Sequence, residues 1–444
     1  LSYRFAKFKI QNPEFKIMKV DIITLGCSKN LIDSERLAKQ FDVLSYKVRH
    51  DAENPDGEIV IVNTCGFIGD AKEESINMIL QIAELKKRGK IKKFFVMGCL
   101  SERYMKELSL EIPEVDKYYG KFNYTDILLE LGHEYRADLR LERTLTTPAH
   151  YAYLKISEGC NRTCSYCAIP IITGRHRSRL MEDIEAEVKN LVVQGVKEFQ
   201  LVAQDLSYYG LDRYKELKLG ELTQRLSDIQ GVEWLRLHYA YPANFPFDVL
   251  KIMRERENVC NYLDIALQHI SDNMLQKMRR GITKAQTYEL LERIREEVPN
   301  IHLRTTMMLG HSGETEQDVE EMKEFIQKIR FERLGAFAFS NEEGTFSYNN
   351  YKDDIPQEIK EQRVAEIMEI QQEISFDLNQ QKIGKEFKVI IDRLDGDYYI
   401  GRTEFDSPEV DSEVLIPAST ENIKIGEFYQ TTIVDATDFD LYGK

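Results

Sequence analysis

The sequence predicts an α/β protein in three successive units: an open α/β unit of Rossmann or flavodoxin type, a β/α barrel (a partial or full TIM barrel), and a small antiparallel β-barrel. Three observations carry this. Over residues 18–136 short apolar runs alternate with amphipathic stretches, the rhythm of a parallel sheet. From about 145 to 376 a strand-like run followed by a helix-like stretch recurs six times, the pattern of a β/α barrel. Beyond a long helical stretch at 357–380 the texture changes to short alternating strands with turns such as Asp395-Gly396-Asp397, which suits a small antiparallel barrel.

Each element follows from its own residues. Runs 20–26, 59–64 and 94–98 in the first unit are strands that lead into Cys27, Cys65 and Cys99. Ligands bind at the carboxyl edge of such sheets, so three cysteines distant in sequence converge there; taken singly, each would be a core thiol. The barrel strands are expected at 152–157, 198–203, 234–238, 262–267, 302–309 and 333–339, with helices at 181–194 and 284–298 among them. The last unit is expected to hold strands 387–392, 398–403, 414–417 and 428–434. Domains are therefore expected at 18–136, 145–376 and 379–444.

The stretch Leu1 to Ile17 mixes aromatic residues with lysines and has no apolar signal core, so it reads as an extension or tag before a start at Met18. No run approaches the ~18 consecutive apolar residues of a membrane helix, and no membrane partner is expected. Thiols at cluster spacing without an export signal point to the cytoplasm.

Cys160-Asn161-Arg162-Thr163-Cys164-Ser165-Tyr166-Cys167 packs three thiols into eight residues with no fourth nearby. A cubane iron–sulfur cluster takes one ligand per iron, so three thiolates leave one iron open to a reactant. Zinc competes, but its structural sites usually pair two CxxC-type halves or end in histidines, which this stretch lacks.

This CxxxCxxC triplet, with an aromatic before its last cysteine, resembles the radical S-adenosylmethionine enzymes, whose open iron chelates the cofactor. The three amino-terminal cysteines and the carboxyl-terminal barrel narrow the resemblance to the methylthiotransferases, built from a methylthiotransferase domain, a radical SAM barrel and a TRAM barrel. It covers nearly the whole chain from Met18. The resemblance implies two 4Fe-4S clusters, one on Cys160, Cys164 and Cys167 and one on Cys27, Cys65 and Cys99. It further implies S-adenosyl-L-methionine, used both as methyl donor and as radical source, and an electron donor such as flavodoxin or ferredoxin. Tyr166, Gln204, Gln268, Arg304, Gly310 and Glu314 are the candidate cofactor contacts, with a structural hydrogen bond as the competing reading for the polar side chains; Asp205 and His269 stand beside two of them. Ser312 occupies a position where the family usually has proline, so the turn 309–314 is expected to be looser.

Two substrate classes occur in that family. Residues 157–162, 234–242, 341–345 and 405–411 are similar to the branch that modifies an aspartate of the small-subunit ribosomal protein uS12; the alternative is a transfer RNA (adenosine) methylthiotransferase. Charge favours the protein, making transfer RNA an unfavoured partner, since the chain carries a formal charge of −15 and residues 384–444 hold fourteen Asp/Glu against six Lys/Arg. Glu404, Asp406, Glu409 and Asp411 are expected to face solvent and recruit this basic substrate. The basic run Arg175, His176, Arg177 and Arg179 reads as a solvated loop, and Cys260 as a core thiol.

Overall fold

The computed structural model describes residues 18–444; the expected extension 1–17 lies outside the described residues. The amino-terminal unit is a parallel sheet in the order β2-β1-β3-β4-β5, formed by β1 (Lys19–Thr24), β2 (Lys47–His50), β3 (Ile59–Thr64), β4 (Lys93–Gly98) and β5 (Lys117–Tyr118). β3, Ile-Val-Ile-Val-Asn-Thr, is buried at every residue because helices cover both faces of such a sheet. The helices are α1 (Ser28–Val43), α2 (Gly69–Lys87) and α3 (Cys99–Glu111), each entered from the carboxyl end of a strand. The edge strands β2 and β5 were not expected: one is half-buried Lys-Val-Arg-His and the other has two residues, too little apolar pattern to read.

The central unit is a six-stranded parallel sheet, β6 (Tyr151–Lys155), β9 (Glu198–Val202), β10 (Trp234–Ala240), β11 (Val259–Ile265), β12 (His302–Leu309) and β13 (Arg333–Ala338), joined in that order. β6 and β13 are its two free edges, so the barrel is partial. A two-residue ribbon of β7 (Ser157–Glu158) and β8 (Arg177–Ser178) closes the long loop after β6. Helices Met181–Val193 and Lys284–Glu297 each end one residue before expectation, and helix Gln357–Gln380 packs Ile367 and Ile374 into the barrel core.

Five strands close the carboxyl-terminal barrel in the order β14-β15-β16-β18-β17: β14 (Glu386–Asp395), β15 (Tyr398–Thr403), β16 (Val414–Pro417), β17 (Phe428–Ala436) and β18 (Leu441–Gly443). Four match the expected runs. The three residues of β18, too short to signal, supply the closure by pairing with both β16 and β17.

The expectation that all four acids of this loop face solvent is corrected. The small barrel docks on the amino-terminal ends of the central strands, and residues 404–411 are locked against them. Asp406 is fully buried and accepts from Arg333 at 2.5 Å. Asp411 accepts from Tyr262 at 2.8 Å and Arg304 at 3.2 Å, and Glu409 accepts from Tyr151 at 2.9 Å and Tyr153 at 3.1 Å. Beside them Glu198 takes two bonds from Arg402, at 3.0 and 2.7 Å, and two from Arg236, at 3.3 and 3.0 Å. Glu404 is half-buried and accepts from the Asn261 amide at 3.3 Å, and Glu409 keeps solvent exposure while it holds the two tyrosines. A tally of charges treats every carboxylate as solvated; here arginines of the central strands pair Asp406 and Asp411.

The basic run divides in the same way. Arg175 and Arg177 are exposed, the latter 4.6 Å from the Phe122 ring, but His176 is buried and Arg179 donates to Glu187 at 2.5 Å. Cys260 is a core thiol as expected, packed with Trp234, Tyr262 and Ile390.

Candidate functional site

All three amino-terminal cysteines stand just past strands of one sheet edge. Cys27 is the residue before α1, Cys65 follows β3 directly, and Cys99 opens α3 after β4. Gly26 has a positive φ of 90°, and a Cβ there would lie 2.9 Å from the Cys65 sulfur; only glycine lets the two loops approach so closely. Asn30, buried in the first turn of α1, ties the three loops together. Its amide donates to the carbonyls of Leu25 and Thr64, both at 3.0 Å, and its Oδ1 accepts from the Cys99 thiol at 3.7 Å. Lys121 Nζ lies 3.4 Å from the same Oδ1 and 3.1 Å from Asp33.

The electrostatics of the three thiols differ. Burial raises Cys27, but Lys29 and Lys121 outweigh it and leave its pKa below the ordinary thiol value. Burial dominates at Cys99, pushing it up to about 12 against the pull of Lys121, and it also raises Cys65. A site with cations beside thiols suits thiolate ligands.

The second triplet lies in the loop after β6, at the carboxyl end of the central strands where such barrels place chemistry. Cys164 Sγ accepts from Arg280 at 3.2 Å and lies 3.6 Å from the Tyr241 hydroxyl, while Cys160 Sγ accepts from the Arg162 amide at 3.4 Å. Burial pushes Cys160 up to about 11 and raises Cys167 further above the ordinary thiol range. Ser165 pins the loop: its amide donates to Met278 O at 3.0 Å, and its carbonyl accepts from the Ser347 amide at 2.7 Å. Among the described residues no three His, Cys, Asp or Glu side chains converge on a single ion. A cubane does not require that, because each thiolate of a triplet takes a different iron.

Five of the six candidate cofactor residues gather around this mouth. Tyr166 packs with Met274, Met278, Met308 and Phe339 and accepts from Arg280 at 3.0 Å. Gln204 follows β9 and donates to Glu158, and its Oε1 and Asp205 Oδ1 are buried without a hydrogen-bond partner. Gln268 adopts a φ of 72° at the exit of β11, held by backbone bonds to Thr306 and Met308. Gly310 has a φ of 81°, and its amide donates to Glu314 Oε2 at 2.8 Å. That bond, with the Glu314 amide donating to His311 O at 3.0 Å, clamps the turn expected to be loose; Ser312 is buried, its hydroxyl without a partner. Arg304 is not brought to the mouth. It is the third residue of β12, at the other end of the sheet, where Asp264 and Asp411 engage it.

One buried network joins the two triplets. Lys155 Nζ lies 2.6 Å from Asp33 and 2.9 Å from Glu158, two residues before Cys160, and Lys121 bridges the same two acids at 3.1 and 3.9 Å. Burial raises Glu158, but the two lysines hold it down at about 2. Asn30, Lys121, Arg280 and Tyr241 escaped sequence reasoning. Asn30 follows Cys27 by three residues, a weak signal; Lys121 and Arg280 are distant in sequence from the thiols they serve.

The fold and the site define a radical S-adenosylmethionine enzyme. Residues 154–326 match the Radical SAM superfamily, residues 19–120 the family described as Uncharacterized protein family UPF0004, and residues 383–444 the TRAM domain. Solved structures similar to the chain are the radical S-adenosylmethionine methyltransferase TsrM from Kitasatospora setae, with cobalamin and a [4Fe-4S] cluster bound, and the cobalamin-dependent S-adenosylmethionine radical enzyme OxsB. TsrM gives a TM-score of 0.52 at 13% identity, covering 72% of this chain and 75% of that one. OxsB gives 0.51 at 13% identity, covering 80% of this chain and 56% of that one. At such identities the likeness shows the fold alone. Much nearer in sequence are proteins named ribosomal protein uS12 methylthiotransferase RimO. That of Phocaeicola vulgatus is 66% identical over 423 residues, 95% of this chain and 98% of the relative. That of Bacteroides thetaiotaomicron is 65% identical over 429 residues, 97% of this chain and 98% of the relative. The chain belongs to the RimO family of methylthiotransferases.

Proposed function

We propose that this chain adds a methylthio group to the β-carbon of an aspartate in ribosomal protein uS12, in the cytoplasm, with two 4Fe-4S clusters, S-adenosyl-L-methionine and a flavodoxin or ferredoxin as reductant. The observation that supports this reading is the network Lys121–Asp33–Lys155–Glu158, which runs from beside Asn30, the partner of Cys99, to Glu158, two residues before Cys160. Cleaving an unactivated C–H bond is beyond side-chain acids and bases, and bound S-adenosylmethionine with a reduced cluster supplies the radical that does it.

The chain's own residues would bind and orient. Cys160, Cys164 and Cys167 would hold one cluster, with Arg280 donating to a thiolate and steadying its charge. Cys27, Cys65 and Cys99 would hold the other, where Lys29 and Lys121 favour anionic sulfur. The free acceptors Gln204 Oε1 and Asp205 Oδ1 suit ribose hydroxyls, and the Tyr166, Gln268, Gly310 and Glu314 segments would wall the cofactor. Transfer RNA is not the proposed substrate, given a formal charge of −15.

The test is mass spectrometry of purified uS12 after anaerobic incubation with reconstituted protein, S-adenosylmethionine and a reductant. One aspartate gaining a methylthio group is the expected result. An unchanged uS12, with methylthio-adenosine formed in transfer RNA under the same conditions, would replace this reading with the RNA branch.

A further inference from the structure

A groove of about 830 Å³ runs between α2, α3 and the segment 341–348. Its floor is apolar, built from Ile76, Leu80, Tyr104, Leu108 and Ile112, and Leu80 is 46% exposed within it. Its rim is acidic: Glu73, Glu107, Glu111 and Glu343 are all exposed. The basic residue lining it, Lys72, is already paired with Glu342 at 2.7 Å.

Both walls lead to the cysteines. α2 begins four residues after Cys65, and Arg103 of α3 donates to the Gly66 carbonyl at 3.2 Å. The opposite wall follows β13, and within it the Ser347 amide donates to Ser165 O at 2.7 Å, inside the other triplet. Arg103 also crosses the gap to Glu342 at 2.8 Å, so the two walls are held in register. The groove thus lies between one wall that starts beside Cys65 and Cys99 and another that is bonded to the Cys160–Cys167 loop.

We propose that this groove docks a basic segment of the substrate protein, uS12, with apolar side chains on the floor and Lys or Arg on the rim. The inference rests on the functional reading above and adds where the substrate is gripped. A protein that lives on ribosomal RNA needs surplus cationic side chains to meet phosphates, and those side chains complement this rim. An RNA backbone is repelled by the same rim, and so is a second copy of a chain with a formal charge of −15. The acidic recruiting surface therefore lies beside the reactive mouth; the acids of loop 404–411 are spent on docking the small barrel.

The experiment follows association of reconstituted full-length protein with purified uS12 between about 50 and 200 mM salt. The combined variant Glu73→Lys, Glu107→Lys and Glu111→Lys is expected to slow association about tenfold at low salt and to flatten the salt dependence. Leu80→Asp is expected to speed dissociation, because it places a carboxylate on the apolar floor. The combined variant Glu289→Lys, Glu292→Lys and Glu296→Lys, three exposed changes on the helix Lys284–Glu297, is the charge-matched control and leaves binding as in the wild type. All these positions are at the surface, so folding is not at stake. Wild-type protein that neither binds nor modifies uS12 would remove the functional reading itself. Wild-type protein that does both, with groove variants indistinguishable from the charge-matched control, would overturn the groove alone. Self-association of the wild type that the groove variants abolish would also overturn it, by assigning the groove to a second copy.

Discussion

At the scale of single residues, Asn30 and the cysteines show how the site is organised before any cluster is held. One side-chain amide fixes the carbonyls of Leu25 and Thr64, two residues before Cys27 and one before Cys65, and meets the Cys99 thiol on its other face. Asn30→Ala leaves those buried groups without partners, at about 1–3 kcal/mol each where water cannot replace the amide. A fall of about 2–6 kcal/mol in unfolding free energy is expected by urea titration, together with loss of iron from the amino-terminal triplet. The cysteines make a separate prediction. Reconstituted wild type should hold about eight irons per chain if each triplet carries a four-iron cluster. The Cys160, Cys164 and Cys167 triple alanine variant should retain about half, and loss of all iron from a folded variant would refute two independent sites. Cys27→Ala should keep reductive cleavage of S-adenosylmethionine while losing methylthio transfer, because it leaves the radical-cluster ligands untouched.

At the scale of elements, the loop 404–411 changes from a recruiting surface into a lock. Burial raises the Asp406 carboxyl, but Arg333 and Lys382 outweigh it and hold the pKa at about 2. A carboxylate depressed in the folded state stabilises it fully above the unfolded value near 4, and that stabilisation is lost as pH falls through about 2. Asp406→Asn should therefore cost about 3 kcal/mol near pH 7, where it leaves buried Arg333 without its counter-charge. The difference from wild type should shrink as pH drops from about 4 towards 2. Guanidinium unfolding at a series of pH values checks both the magnitude and its direction; a difference constant with pH would mean that Asp406 acts through packing and not through charge.

At the scale of the whole molecule, the small barrel and the amino-terminal unit grip the central sheet from different sides. The barrel covers its amino end through Glu198, Arg236, Arg333 and Arg402. The amino-terminal unit attaches through α1 and the connection before β6: Arg36 and Arg143 share Glu187 at 3.2 and 3.1 Å, and Ile32 packs with Tyr151, Tyr153 and Val202. A chain ending at Gly384 would strip Arg236 of the Glu404 carbonyl and Arg333 of Asp406, and would bare Trp234 and Tyr262. Expression of residues 1–384 should give aggregated or protease-sensitive protein, which solubility and limited proteolysis measure; a soluble chain with native stability would show that the central sheet does not need its cap.

The order of the three units, the central strands and the positions of the six cysteines were legible in the sequence, because these are local signals. Strand and helix periods are written within a few residues, and a cysteine placed just after a strand falls at the carboxyl edge whatever the tertiary packing. Sequence reasoning missed β2, β5 and β18, whose residues carry no periodicity of their own. The partners of charged groups emerged with the three-dimensional packing. Arg304 meets Asp411 across 107 residues, Lys121 meets Asp33 across 88, and Arg402 meets Glu198 across 204. Whether an acid faces water or an arginine is fixed by how separate units dock, and the local sequence around Asp406 or Arg304 contains nothing of the surface that will meet it.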